Sequence, residues 1–133
     1  MILLLLILTC SAAAFEVNVA QSSYQAEENH NITLEWTFPT DTETKIEDIH
    51  VYCSHLNKNE SVLYRIHAGV EFSEYVDEGF SGRVQSDTDA LREGRIRLHL
   101  SRLRTEDSGL YMCAVRTASG SDSSFCDLTV SGE

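Results

Sequence analysis

Apolar residues recur at every second position through most of this chain. "FEVNV" sets Phe15, Val17 and Val19 on one side, and "NITLEWTF" does the same with Ile32, Leu34, Trp36 and Phe38. "IHVYC" gives Ile49, Val51 and Cys53; "SVLYRIHAG" gives Val62, Tyr64 and Ile66 before Gly69. "GRVQS" is a short strand pattern. "GRIRLHL" presents Ile96, Leu98 and Leu100, "GLYMCAV" presents Tyr111, Cys113 and Val115, and "CDLTV" presents Cys126, Leu128 and Val130. Period two is the signature of strands with one buried face. Polar clusters separate them: "TDTET", "NKNE", "DEGFSG" and "ASGSDS". Many short strands joined by polar turns predict an all-β sandwich of two antiparallel sheets. One helical turn is expected in "LRTEDSG" and little helix elsewhere. No repeat or low-complexity linker interrupts the pattern.

The first fourteen residues, "MILLLLILTCSAAA", break the alternation. An apolar run from Ile2 to Leu8 passes into small residues from Ser11 to Ala14, as in a signal peptide and its cleavage site. The run is shorter than the ~20 apolar residues that span a bilayer, and no later stretch is apolar enough to do so. Residues 1–14 are therefore assigned to a signal peptide and residues 15–133 to one domain. Export implies an extracellular location, secreted or on the outer side of the plasma membrane. It also implies an oxidising compartment, in which Cys53, Cys113 and Cys126 can form disulfides once Cys10 has left with the leader. Three is an odd number, so one cysteine is free or joins a second chain as a homodimer.

The formal net charge of −11 excludes nucleic acid as a partner and disfavours anionic membranes. Catalytic and metal chemistry find no support. Cys53 and His55 share one side of a strand, but no oxyanion-hole motif or nucleophile turn accompanies them. The histidines at 30, 50, 55, 67 and 99 show no metal-ligand spacing on one element, and the paired carboxylates lack a Ca²⁺-loop pattern. No cofactor, metal or small-molecule substrate is expected, and the chain is not read as an enzyme. Two N-x-[ST] sequons, at Asn31 and Asn59, are candidate glycosylation sites. A turn at Ser119-Gly120 would place Cys126 directly opposite Cys113.

"GRV" at 82–84, "RIRLHLSRL" at 95–103 and "EDSGLYMC" at 106–113 resemble immunoglobulin V-set domains. With the stretch from Gly79 to Val115, they are similar to the butyrophilin and T-cell co-signalling ligand family, above all teleost programmed cell death ligand 1-like proteins. The resemblance implies a sandwich with Greek-key connections. It implies that Tyr111 hydrogen-bonds back to the corner before its strand, that Gly109 serves the tight backbone there, and that Arg83 and Asp107 form a structural ion pair. One departure stands out. In the family pattern strand B carries a cysteine and strand C a tryptophan; here strand B carries Trp36 and strand C carries Cys53. Cys53 and Cys113 would then lie on neighbouring strands of one sheet, within the roughly 7 Å between Cα atoms that a disulfide needs. Trp36 would fill the core from the opposite sheet. Cys53–Cys113 is the preferred disulfide, with Cys126 the rival partner of Cys113.

The family uses the exposed face of strands C, C′, F and G. Alternation places His50, Tyr52, Ser54, Arg65, Met112, Ala114, Arg116 and Phe125 on it. Tyr52, Met112 and Phe125 would be apolar groups at a surface, which suggests an interface. The resemblance implies binding of another immunoglobulin-type cell-surface receptor on lymphocytes and regulation of T-cell activation. The alternative is an adhesion or homodimer-forming domain without a co-signalling role. Antigen receptors continue into an F-G-x-G segment before the last strand; "SSFCDLTV" lacks those glycines.

Overall fold

The computed structural model describes residues 14–57 and 59–132. The leader assigned to residues 1–14 lies outside them, apart from Ala14. Ten strands form in the order β1 (Asn18–Val19), β2 (Ser23–Glu27), β3 (Ile32–Thr37), β4 (His50–Leu56), β5 (Glu60–His67), β6 (Val70–Glu71), β7 (Val84–Ser86), β8 (Arg95–Leu100), β9 (Gly109–Thr117) and β10 (Gly120–Ser131). One sheet has the order β1-β3-β8-β7 and the other β2-β10-β9-β4-β5-β6. In V-set lettering these are A-B-E-D and A′-G-F-C-C′-C″, two layers around one core.

Alternation produces the layers directly. Leu34, Trp36, Ile96, Leu98 and Leu100 from the smaller sheet face Val51, Cys53, Tyr111, Cys113, Val115 and Leu128 from the larger, and all are buried. Cys53 and Cys113 are register partners on β4 and β9. A disulfide joins them across a Cα separation of 4.1 Å, so the covalent link lies within one sheet. Trp36 spans the gap between layers. It is fully buried on β3, and its Nε1–H donates to the Ser124 carbonyl of β10 at 3.0 Å. Ser124 is the residue opposite Cys113. The indole thus reaches the neighbourhood of the disulfide from the other sheet, bringing apolar area and one hydrogen bond.

The bottom of the sandwich is closed by charge. Arg83 donates to both carboxylate oxygens of Asp107, at 2.8 and 2.9 Å, and both side chains are nearly inaccessible. The guanidinium also donates to the carbonyls of Gly79, Ser101 and Arg102, so its burial leaves no donor idle on that side. The paired carboxylate pushes the Arg83 pKa up. Tyr111 O–H donates to the Asp107 carbonyl, tying β9 to the same corner.

Several expectations need correction. "FEVNV" contributes only the two-residue β1, whereas β2, unforeseen because only Tyr24 in it is fully buried, pairs with β10. That pairing is parallel, so the larger sheet is not wholly antiparallel. β5 carries a bulge against Cys53 and Ser54. The extra residue sends Leu63 into the core and leaves Val62 opposite Ser54, where simple alternation had Val62 inward. The last hairpin turns at Ala118-Ser119, not Ser119-Gly120. Gly120 therefore pairs with Thr117, and Cys126 lies opposite Tyr111 rather than Cys113. Short 3-10 turns occur at Thr105–Asp107, as expected, and also at Ile46–Asp48, Ser73–Tyr75 and Thr88–Glu93.

Candidate functional site

The outer side of β5, β4, β9 and β10 is a continuous surface built of cross-strand rows. Nearest the Arg83–Asp107 corner, Leu56 lies beside Leu110 and Leu110 beside Asp127. The next row is Val62, Ser54, Met112 and Phe125; then Arg65, Tyr52, Ala114 and Ser123; then His50, Arg116 and Ser121. The register brings together all eight residues assigned to this face from sequence.

Their exposure differs. Arg65 and Arg116 are exposed, Phe125 is 46% exposed, and His50, Tyr52, Met112 and Ala114 are half-buried. Ser54 corrects the expectation: it sits on the outer side but is 0% exposed. Glu60 accounts for much of this, accepting from Ser54 Oγ at 3.4 Å and from Tyr52 O–H at 2.9 Å. Burial, then the bond to Glu60, raises the Tyr52 pKa. Tyr52 is therefore a braced group rather than a freely offered one.

Two residues were missed. Leu110 is 40% exposed, beside the Met112–Phe125 pair. His67 lies against His50, with ring centroids 4.7 Å apart and their Nδ1 atoms 3.2 Å apart. Both were legible by parity, Leu110 from Met112 and His67 from Arg65. The result is a face in two halves. The half near the corner is apolar, with Leu110, Met112 and Phe125. The far half carries His50, Arg65, His67 and Arg116 around a shallow depression.

Inward of this surface, His55 is buried and stacked on Tyr111, with ring centroids 4.4 Å apart. Its Nε2–H donates to the Ser108 carbonyl at 3.0 Å, and its Nδ1 accepts from the Asn57 amide at 3.1 Å. Those bonds define a neutral imidazole, and burial depresses its pKa. Since Cys53 is in the disulfide, the Cys53–His55 pair has no thiolate to offer. Cys126 is a buried free thiol, 1% exposed, whose pKa burial pushes up to about 12. A covalent homodimer through Cys126 is thereby corrected: the sulfur cannot meet a second chain without opening the sheet. Asn31 and Asn59 are both exposed, Asn59 in the β4–β5 hairpin next to Glu60.

A family model described as the immunoglobulin V-set domain matches residues 19–131. Mouse programmed cell death 1 ligand 1 is 26% identical over 102 residues, covering 77% of this chain and 34% of that protein. The chain thus spans about a third of that relative's length. Among solved structures, the human B7-H4 IgV-like domain superposes with a TM-score of 0.75 at 22% identity, covering 91% of this chain and 100% of that one. Bovine butyrophilin gives 0.73 at 17% identity, covering 91% and 56%. At those identities the two structures speak for the fold alone.

Proposed function

The chain belongs to the immunoglobulin V-set family, and from that premise we propose that it is an extracellular recognition domain whose outer C–C′–F–G face binds an immunoglobulin-type counter-receptor on lymphocytes and regulates T-cell activation. The observation that carries this reading is the Leu110–Met112–Phe125 cluster. These three apolar side chains adjoin on a sheet face over which the described residues place no further layer, two of them at least 40% exposed. An apolar group flanked by polar positions is the composition of an interface centre. The mouse relative is by name a ligand of programmed cell death 1, which supports the same class of role. The domain reaches the cell exterior after cleavage near Ala14–Phe15, and N-terminal sequencing of exported protein checks that step.

Labelled tetramers of the domain test the binding. They should stain lymphocytes, and Phe125→Asp should abolish staining while moving the melting temperature little, since an exposed site costs within ~0.5 kcal/mol. Unchanged staining by Phe125→Asp would place binding elsewhere. Mass that rises with concentration in light scattering, with no staining, would favour a self-associating adhesion domain.

A further inference from the structure

We propose that the half of this face far from the Arg83–Asp107 corner is a carboxylate-binding site, formed by His50, Arg65, His67 and Arg116, that accepts an acidic segment of a protein partner. The inference deepens the recognition reading and rests on it.

The first observation is charge placement. The chain carries 21 Asp and Glu against 10 Lys and Arg. Yet the depression beside Tyr52 is lined by two arginines and two histidines, with Asp122 its single carboxylate. Asp122 is already engaged, its Oδ2 accepting the Val17 N–H at 2.8 Å. Among the described residues neither arginine is in an ion pair; Arg92, Arg102 and Arg104 are unpaired too, but they lie outside this depression, whereas Arg83, Arg95 and Arg97 are paired. Arg65 instead lies over the Tyr75 ring, 4.9 Å from its centroid. Register sets Arg65 beside Tyr52 and Arg116 beside His50, on adjacent rows. What sets Arg65 and Arg116 apart is that two unpaired guanidiniums converge with two histidines on one depression, an arrangement that matches an incoming acid.

The second observation is the histidine pair. His50 Nδ1 accepts the Ala68 N–H at 3.3 Å and lies 3.2 Å from His67 Nδ1. Accepting that N–H, His50 Nδ1 bears no proton in the neutral ring. The groups acting on His50 are His67 from β5, Arg116 from β9 and Asp48 from the turn before β4, with Arg65 of β5 and Asp122 of β10 lining the same depression. Burial first, then Arg116 and His67, hold the His50 pKa down against the opposing pull of Asp48. A docked carboxylate adds to the pull of Asp48 and favours the protonated form of His50. Affinity for the acid rises as pH falls.

A protein segment is favoured over a long polyanion. A few carboxylates are satisfied locally, but an extended polyanion would run beyond the patch, past a Debye length of ~8 Å, onto a surface whose net charge repels it. The adjoining Leu110, Met112 and Phe125 suit apolar side chains next to the acids.

The test is an NMR titration of the isotope-labelled domain with the peptide acetyl-Glu-Glu-Tyr-Glu-Glu-amide. Shifts should centre on His50, Arg65, His67 and Arg116. The dissociation constant should fall by about threefold or more between about pH 7.5 and pH 5.5. Arg116→Gln, at an exposed position, should weaken binding by a similar factor, and His50→Gln with His67→Gln should remove the pH dependence. Absence of shifts, shifts elsewhere, pH-independent binding, or a heparin oligosaccharide binding the same residues more tightly would each overturn the inference. The two readings fail separately. Tetramer staining lost with Phe125→Asp but kept by the double histidine variant at low pH would sink this inference alone. Tetramers that stain no cell would sink the recognition reading, while the titration would still decide the carboxylate site.

Discussion

Removing the Cys53–Cys113 link should cost the domain a large part of its stability. The two residues are 60 apart in sequence. In the chain-entropy treatment, closing a loop of that length removes about 14 cal/mol/K from the unfolded ensemble, or about 4 kcal/mol at 25 °C. Domains of this size are stable by only 5–15 kcal/mol, so the loss is a substantial fraction of the whole. With a urea slope of about 1–3 kcal/mol/M, the unfolding midpoint should drop by between about 1 and 4 M. The perturbation is the double variant Cys53→Ala with Cys113→Ala, and the probe is the fluorescence of Trp36, the chain's single tryptophan. Cys126→Ala is the control: it removes a buried sulfur but no crosslink, and should cost only about 1 kcal/mol. Equal midpoints for oxidised wild type and the double variant, within ~0.3 M, would refute the reasoning. So would recovery of a Cys113–Cys126 peptide on non-reducing mapping.

Three further outcomes are expected. Trp36→Ala should cost about 3–5 kcal/mol in the same urea assay, because it empties the centre of the sandwich and removes the indole's bond to the Ser124 carbonyl. Gly109→Ala should destabilise by about 1–3 kcal/mol, since φ there is +135° and a Cβ would lie 2.8 Å from His55 Nε2; a melting temperature unchanged from wild type would show that the corner relaxes. His55 should confer acid lability. Its folded pKa lies below the ordinary 6.5, so the unfolded chain takes up the proton first; stability is full above that value and falls as pH drops through it towards the folded pKa. Thermal melts from pH 7.5 to 5 should show a decline that is weaker in His55→Gln, and parallel profiles would remove His55 as the cause.

What the sequence made legible, and what it hid, follows from where physical information is local. Parity along β3, β4, β8 and β9 was sufficient to divide core from surface, because each of those strands has neighbours on both edges and one face against the other sheet. It failed at edges and irregularities. β2 alternates, but over only five residues with Tyr24 and the small Ala26 as its inward positions, and just one of them is fully buried, so its signal was too short and weak to stand out. The β5 bulge changes parity at Leu63, and a bulge is an agreement between two strands that neither announces alone. The last hairpin was displaced by one position because Ser119-Gly120 and Ala118-Ser119 are both acceptable turns; the choice is made by the register of the whole β9–β10 ladder. Ser54 was placed on the correct side, but its covering by Tyr52 and Glu60 depends on residues that meet only once β5 has folded back. The His50–His67 contact was hidden for the same reason.

The exchange of cysteine and tryptophan bears on the recognition face itself. A bridge between sheets holds the layers together and leaves each sheet to its own hydrogen bonds. Here the covalent link lies within the sheet that carries the face, between the two strands at its centre. Tyr52 and Ser54 flank Cys53, and Ala114 and Met112 flank Cys113, so the crosslink sits directly beneath the two middle rows. Sliding or opening of β4 against β9 would have to strain that link. Holding the layers together falls instead to apolar contact through Trp36, its bond to Ser124, and the Arg83–Asp107–Tyr111 corner. These are non-covalent and cooperative, and they are lost together when the sheets separate. The arrangement therefore favours a face whose central rows stay in register while the sandwich retains ordinary freedom to open. Ordering costs at an interface are lower when the contact surface is already organised. Hydrogen exchange separates the two kinds of stability: amides of β4 and β9 around Cys53 and Cys113 should remain protected in urea concentrations at which those of β3 and β8 have begun to exchange. Loss of protection in both sheets at one urea concentration would mean that the crosslink gives the face no order beyond that of the whole fold.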